Sequence, residues 1–204
     1  MSVARPRIVL LDEKDLDGVV SIHCSELPQD LLVKVFGGGF LRECYYRELL
    51  SSPSSFILGV KSKKEIVGFA AFLGSPGLVG SVAKKNVGRL IAASCRNALN
   101  PGFLRDLGSA VFLSFLRSKK KVEDGMELNY IAISKAYQGN GLGARLIREG
   151  ERIAGKGKGS GFLWVKTLKS TPQNVRFYEK LGFRSYDESV GRGFLSKKMA
   201  SGSK

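Results

Sequence analysis

The sequence predicts a mixed α/β (α+β) fold: one central sheet of six to seven strands, mostly antiparallel, flanked by helices. Three observations lead there. Two β-rich runs, SFILGVKS and EIVGFAAFLGS, are separated only by Lys63 and Lys64, which is a hairpin pattern. MELNYIAI (126–133), the helical stretch Leu142 to Ala154 and GFLWVKTL (161–168) then read as strand, helix, strand. The chain closes with a short helical segment and two extended runs, RSYDES and GFLSKKM, that can pair as a second hairpin.

From the N-terminus, RIVLLD (7–12) reads as a short strand, and Asp12 to His23 as a helix. A second helical stretch begins at Pro28 and is broken by Gly37-Gly38-Gly39, because glycine loses the most conformational freedom in a helix. FLRECYYRELLSS (40–52) is amphipathic, with Phe40, Leu41, Cys44, Tyr45 and Leu49 at helical spacing. Residues 76–121 also show helical apolar spacing, and Pro101-Gly102 divides them into two helices. Within 142–154, Leu142, Leu146, Ile147 and Ile153 are expected to face inward. GKGKGSG (155–161) is a flexible connection. Thr171-Pro172 has the form of an N-cap followed by a first-turn proline, opening a helix that runs to Leu181 and stops at Gly182.

A chain of 204 residues supports one sizeable core, so a single domain over 1–204 is expected. Its 43% hydrophobic and 25% charged content is that of an ordinary globular protein. No apolar run approaches the roughly 18–20 residues that cross a bilayer. The N-terminus places acids straight after its short apolar run, unlike a secretory leader, so a cytoplasmic protein is expected. Cys24, Cys44 and Cys95 are far apart and odd in number, and read as reduced and structural. His23, the single histidine, adjoins Cys24, but neighbours on a helix or strand point apart; neither a Cys–His nucleophile nor a metal site is expected. The net charge is +15, and within 78–121 nine cations stand against one acid, Asp106. Such a face suits an anionic partner or simply aids solubility.

The chemistry concentrates in IAISKAYQGNGLGARLI (131–147), where bare backbone meets the start of a helix. Glycines admit a ligand close to the main chain, and a helix start offers unpaired N–H groups at the positive end of its dipole. Together these make a phosphate cradle. Gly150 to Lys156 matches the G-x4-G-K of nucleotide-binding loops, but Gly157 replaces the hydroxyl that would hold magnesium, and the match begins inside a helix. Gly139-x-Gly141-x-x-Ala144 fits a relaxed dinucleotide fingerprint, but the acid expected at the end of the next strand is replaced by Lys169-Ser170.

A third pattern fits strand, turn and helix together. Gln138-Gly139-Asn140-Gly141-Leu142-Gly143 has the form Q/R-x-x-G-x-G/A, and downstream comes Asn174-Val-Arg-Phe177-Tyr178-Glu-Lys-Leu-Gly182-Phe183. The two blocks resemble those of the GNAT N-acetyltransferase superfamily. The resemblance is clear over 126–186 and extends over 7–75 through the order of elements. Residues 76–121 then fall as a helical insertion between the third and fourth strands. The resemblance implies a GNAT fold with splayed fourth and fifth strands, and acetyl-CoA (coenzyme A) as cofactor. It implies that backbone amides of Gly139, Gly141, Gly143 and Ala144 cradle the pyrophosphate, with Gln138, Asn140 and Leu142 in the same loop. The edge around Ile131, Ala132 and Ile133 would pair with the pantetheine arm, and Asn174, beside Phe177, would hydrogen-bond that arm. Tyr178 matches the family's general acid.

Acetyl transfer to an amine requires a deprotonated amine, a held thioester carbonyl and a proton for the departing thiolate. Glu127, expected on the strand face of Asn129 and Ile131, stands at the offset where histone acetyltransferases of the superfamily carry a glutamate base; a water chain is the alternative. Tyr130, on the other face, is expected in the core.

The basic insertion favours a small, phosphorylated or sugar-nucleotide amine over cationic peptides and polyamines. Nucleic acid is not the expected partner, and a homodimer is compatible with the sequence. Two other readings stay open: a non-catalytic basic binding module on the same scaffold, and a protein or peptide N-acetyltransferase.

Overall fold

A computed structural model describes residues 5–74, 82, 84–88, 125–155, 161–168, 171–189 and 192–199. Strand β1 (Arg7–Leu10) leads through a short 3-10 turn (Glu13–Asp15) into α1 (Leu16–Glu26) and α2 (Leu31–Phe40). A π-helical stretch (Leu41–Tyr46) continues into α3 (Arg47–Ser51). The hairpin β2 (Phe56–Ser62) and β3 (Glu65–Leu73) follows, then β4 (Gly125–Ile133), α4 (Leu142–Ala154) and β5 (Phe162–Leu168). The helix α5 (Pro172–Lys180) and the hairpin β6 (Arg184–Ser189) and β7 (Arg192–Lys198) complete the described chain.

The seven strands form one sheet in the order β1-β2-β3-β4-β5-β7-β6. Every neighbouring pair is antiparallel except β4 and β5, which are joined by the α4 crossover. From Val67 to Leu73, β3 is buried continuously, as a central strand covered on both faces must be. On one face Leu16, Val19, Leu41, Tyr45, Tyr46 and Leu49 pack from α1 to α3 onto Ile57, Phe69 and Ala71. On the other, Leu142, Leu146, Ile147 and Tyr178 from α4 and α5 pack onto Leu58, Val60, Phe72, Leu128 and Val165.

As expected, the helical stretch breaks at Gly37 (φ 72°, ψ 178°), so that α2 is two helical pieces joined at a kink. Three local expectations change. The amphipathic stretch 40–52 is wound partly as a π-helix, and this wider turn brings Tyr46 inside along with Leu41, Cys44 and Tyr45. Thr171 precedes α5, but its side chain makes no cap hydrogen bond. The third change bears on the site. Tyr130 pairs with Ala71 and Leu128 with Phe72, leaving Asn129 as an extra residue on β4. This β-bulge resets the inside–outside alternation. Tyr130 and Ala132 therefore face the α1–α3 layer, while Leu128, Ile131 and Ile133 face α4 and α5. Glu127 does not share a face with Ile131, as strict alternation had implied.

The basic insertion 76–121 lies outside the described residues except for Val82 and 84–88. Val82 is buried against the α1–α3 core, and Lys85 Nζ pairs with Glu48 Oε1 at 2.6 Å. Residues 156–160 of the lysine–glycine connection also lie outside them. Among the described residues, no helix is long and apolar enough to cross a membrane.

Candidate active site

The glycine turn is built to stay open. Gly139 (φ 77°) and Gly141 (φ 69°) adopt the left-handed conformation, and no atom lies within 4 Å of where a β-carbon would project from either. Side chains rarely adopt this backbone, so glycine is favoured by conformation as well as by access. Gly141 is the N-cap of α4 and brings no side chain to satisfy the helix end. The first helical bond at that end runs from Arg145 N–H to the Gly141 carbonyl at 3.0 Å. The amides of Leu142, Gly143 and Ala144 precede that ladder and project from the positive end of the helix dipole.

Neighbouring side chains brace the turn without filling it. Asn140 Nδ2 donates to the carbonyls of Tyr137 and Gln138, each at 3.2 Å. Gln138 Nε2 donates to the Ile133 carbonyl at 2.7 Å and lies 3.4 Å from Glu26 Oε2, fastening the turn to the end of β4 and to α1. The Leu142 side chain is buried in the core, so only its backbone belongs to the turn.

Strand β4 brings an unpaired edge to this turn. On one side Ile131, Ala132 and Ile133 pair with Ala70, Phe69 and Gly68. On the other, β4 and β5 pair only from Gly125–Phe162 to Leu128–Val165, although both strands run on. Beyond that point the strands part, as the family resemblance implies for the fourth and fifth strands. Asn129 to Ile133 then present backbone donors and acceptors with no β5 partner among the described residues.

Gly143 joins three elements of the site. A β-carbon there would stand 3.3 Å from Phe177 Cζ and 3.8 Å from Ile131 Cδ1, so α4, α5 and β4 meet at this residue. On α5, Asn174 is exposed, Phe177 is half-buried, and Tyr178 is buried with its ring edge-on to Phe177 and Phe183. Burial pushes the Tyr178 phenol above its ordinary range. It therefore stays protonated at neutral pH, the form a proton donor needs.

Glu127 lies on the opposite face from Tyr178, towards α1–α3, and the two are not in contact. Its carboxylate is buried, and Oε1 accepts from Lys166 Nζ at 2.9 Å and from Asn129 Nδ2 at 3.1 Å. Asn129 Oδ1 in turn accepts from the Tyr45 hydroxyl at 2.5 Å. The Lys166 ammonium also lies 4.4 Å from the centre of the Trp164 ring. Sequence reasoning did not single out Lys166, Trp164 or Tyr45 for the site. The available signal was the strict alternation of β5, which sends Leu163 and Val165 to one face and Trp164 and Lys166 to the other.

A sheet parted beside a glycine-walled helix start fits an acyltransferase. The model of the acetyltransferase (GNAT) family matches residues 24–183, and the chain belongs to that family. Its enzymes draw the acetyl group from acetyl-CoA. Solved structures share the fold at low identity. The PaiA N-acetyltransferase of Thermoplasma acidophilum, solved with coenzyme A, is 16% identical with a TM-score of 0.59, covering 95% of this chain and 99% of its own. The ribosomal-protein-S18-alanine N-acetyltransferase of Escherichia coli is 14% identical with a TM-score of 0.58, covering 96% and 95%. An N-acetyltransferase of Staphylococcus aureus is 13% identical with a TM-score of 0.56, covering 97% and 100%. No curated protein matches the sequence.

Proposed function

We propose that this chain, acting as a single domain, moves an acetyl group from acetyl-CoA to the primary amine of a small acceptor by direct attack in a ternary complex. One observation carries the reading: β4 and β5 part beyond Leu128–Val165, beside the open amides that begin α4. Acetyl-CoA supplies an acyl group already activated as a thioester. The amides of Gly139, Gly141, Gly143 and Ala144 hold its diphosphate, and the dipole of α4 favours that charge. The edge of Ile131 to Ile133 that has no β5 partner aligns the pantetheine arm, with Asn174 as a further hydrogen-bonding group. An amide on that edge polarises the thioester carbonyl. Tyr178 donates the proton taken by the departing thiolate, and Glu127 accepts the proton released by the amine, directly or through water.

The acceptor we favour is phosphorylated or carried on a sugar nucleotide. The support is the run of nine cations against one acid in 78–121. A cytoplasmic setting fits the free thiol of Cys24. The test is a panel of amines, amino-sugar nucleotides included, assayed for free-thiol release from acetyl-CoA, alongside thermal-shift measurements. The expected result is stabilisation by acetyl-CoA and turnover with an anionic amine. Stabilisation by an oligonucleotide and none by acetyl-CoA would make the chain a binding module.

A further inference from the structure

The two oxygens of the Glu127 carboxylate are not equivalent. Oε1 takes both donors, Lys166 Nζ at 2.9 Å and Asn129 Nδ2 at 3.1 Å. Oε2 makes no hydrogen bond to any described residue. The residue is only 6% exposed, and a carboxylate in such a place is costly unless it is paired. Lys166 provides the pairing from across the point where β4 and β5 part, because Val165, just before it, is the last β5 residue to pair with β4. Its ammonium sits on the Trp164 ring at 4.4 Å, which limits where that ammonium can go. Asn129, two residues on, reaches the same oxygen because strand alternation places it on the Glu127 side, and the Tyr45 hydroxyl fixes its amide from α1–α3.

We propose that Lys166 is a positioning residue for the acetyl transfer: it clamps Glu127 through Oε1 so that Oε2 is presented, charged and unbonded, to the proton of the acceptor amine. The proposal rests on the reading of Glu127 as the base. Lysine suits the task because its stem spans the gap between the strands and ends in a compact charge. Glu127 keeps one oxygen for structure and one for chemistry.

A double-mutant cycle tests this on the full chain, with the acetyl-CoA-dependent thiol-release assay and the best amine of the panel. Lys166→Met is expected to lower kcat by roughly tenfold or more and to leave acetyl-CoA affinity unchanged, since the groups assigned to the coenzyme are the α4 turn, the edge of Ile131 to Ile133 and Asn174. Lys166→Arg, which keeps charge and reach, is expected to recover most of the rate. In a Glu127→Gln background, Lys166→Met is expected to change kcat by less than about twofold, because the proposed role of Lys166 in the reaction is exerted through that carboxylate. If Lys166→Met does not fold, Lys166→Gln enters the same cycle, keeping a hydrogen-bond donor without the charge. A Lys166 substitution that leaves kcat intact overturns the proposal. So does one that slows the wild-type and Glu127→Gln enzymes equally, and that result leaves Glu127 as the base. Undiminished turnover in Glu127→Gln alone removes the base reading, and the positioning role with it.

Discussion

The Phe72 ring lies so close to Gly150 that a β-carbon on that residue would stand 2.1 Å from Cζ. The ring has nowhere to retreat. It is fully buried and stacks on Phe56 at 4.9 Å. Helix α4 thus sits flush on β3 through a missing side chain, and its N-terminus carries the glycine turn. Gly150→Ala would gain about 1 kcal/mol of helix propensity. Forcing a methyl into a packed core costs about 1–3 kcal/mol, and at 2.1 Å the upper end applies. The variant is expected to melt several degrees lower and to bind acetyl-CoA more weakly as α4 is lifted. A melting temperature equal to or above wild type would show that α4 does not dock as described.

Gly141 provides a test of the turn that leaves the fold intact. Its φ of 69° is left-handed, but aspartate is among the residues that visit this region, and no atom lies within 4 Å of the added β-carbon. Gly141→Asp should therefore fold. Its carboxylate would occupy the helix N-terminus, bond the amides as a cap does and repel a diphosphate. Acetyl-CoA affinity measured by calorimetry should fall at least roughly tenfold, about 1.4 kcal/mol, with an unchanged circular dichroism spectrum. Wild-type affinity in the folded variant would remove the turn from the coenzyme site.

Much of this site was legible in the sequence, for an identifiable reason. The glycine turn, α4 with its bounds 142–154 and the three strands around it follow from local rules: periodicity, turn chemistry and the start of a helix. The face occupied by Glu127 relative to Ile131 was not legible, because the bulge at Asn129 is set by pairing with Ala71 and Phe72, far away in the chain. Lys166 escaped notice for a similar reason: as one lysine among many, it gains meaning only where two strands separate. The π-helical winding at Leu41–Tyr46 was hidden because its apolar spacing also satisfies an α-helix.

Tyr178→Phe separates packing from proton donation. The phenylalanine ring keeps the edge-on contacts with Phe177 and Phe183, at centroid distances of 5.2 and 5.6 Å. Coenzyme affinity and melting temperature should hold. Turnover should fall, by roughly a hundredfold if the hydroxyl supplies the thiolate's proton in the rate-limiting step. Burial raises the phenol's pKa, so the donor form persists at and beyond the ordinary tyrosine value of about 10. A wild-type rate that fell near pH 8 would therefore have another cause than loss of the Tyr178 proton. Undiminished turnover in Tyr178→Phe would exclude it as the acid.

The last prediction concerns the link between the start of α2 and β4. Asp30 Oδ1 accepts from the Leu32 amide at 2.9 Å, its Oδ2 accepts from the Tyr130 hydroxyl at 3.1 Å, and His23 Nε2 lies 3.7 Å away. Burial acts to raise the Asp30 pKa, but the His23 imidazole, the Tyr130 hydroxyl and the Leu32 amide together bring it below the ordinary carboxylate value. A carboxylate whose pKa is lower folded than unfolded stabilises the protein above its unfolded value, about 3.9, and loses that contribution as pH falls through the folded value. Asp30→Asn keeps an N-cap acceptor but removes the charge. It should cost about 1 kcal/mol or more at pH 7, the scale of hydrogen bonds to a charged group. The gap between the two melting temperatures should shrink as pH is lowered below 4. Thermal melts of both proteins at pH 7, 5, 4 and 3 measure it, and a gap that stays constant across the series would show that the Asp30 charge does not hold α2 to β4.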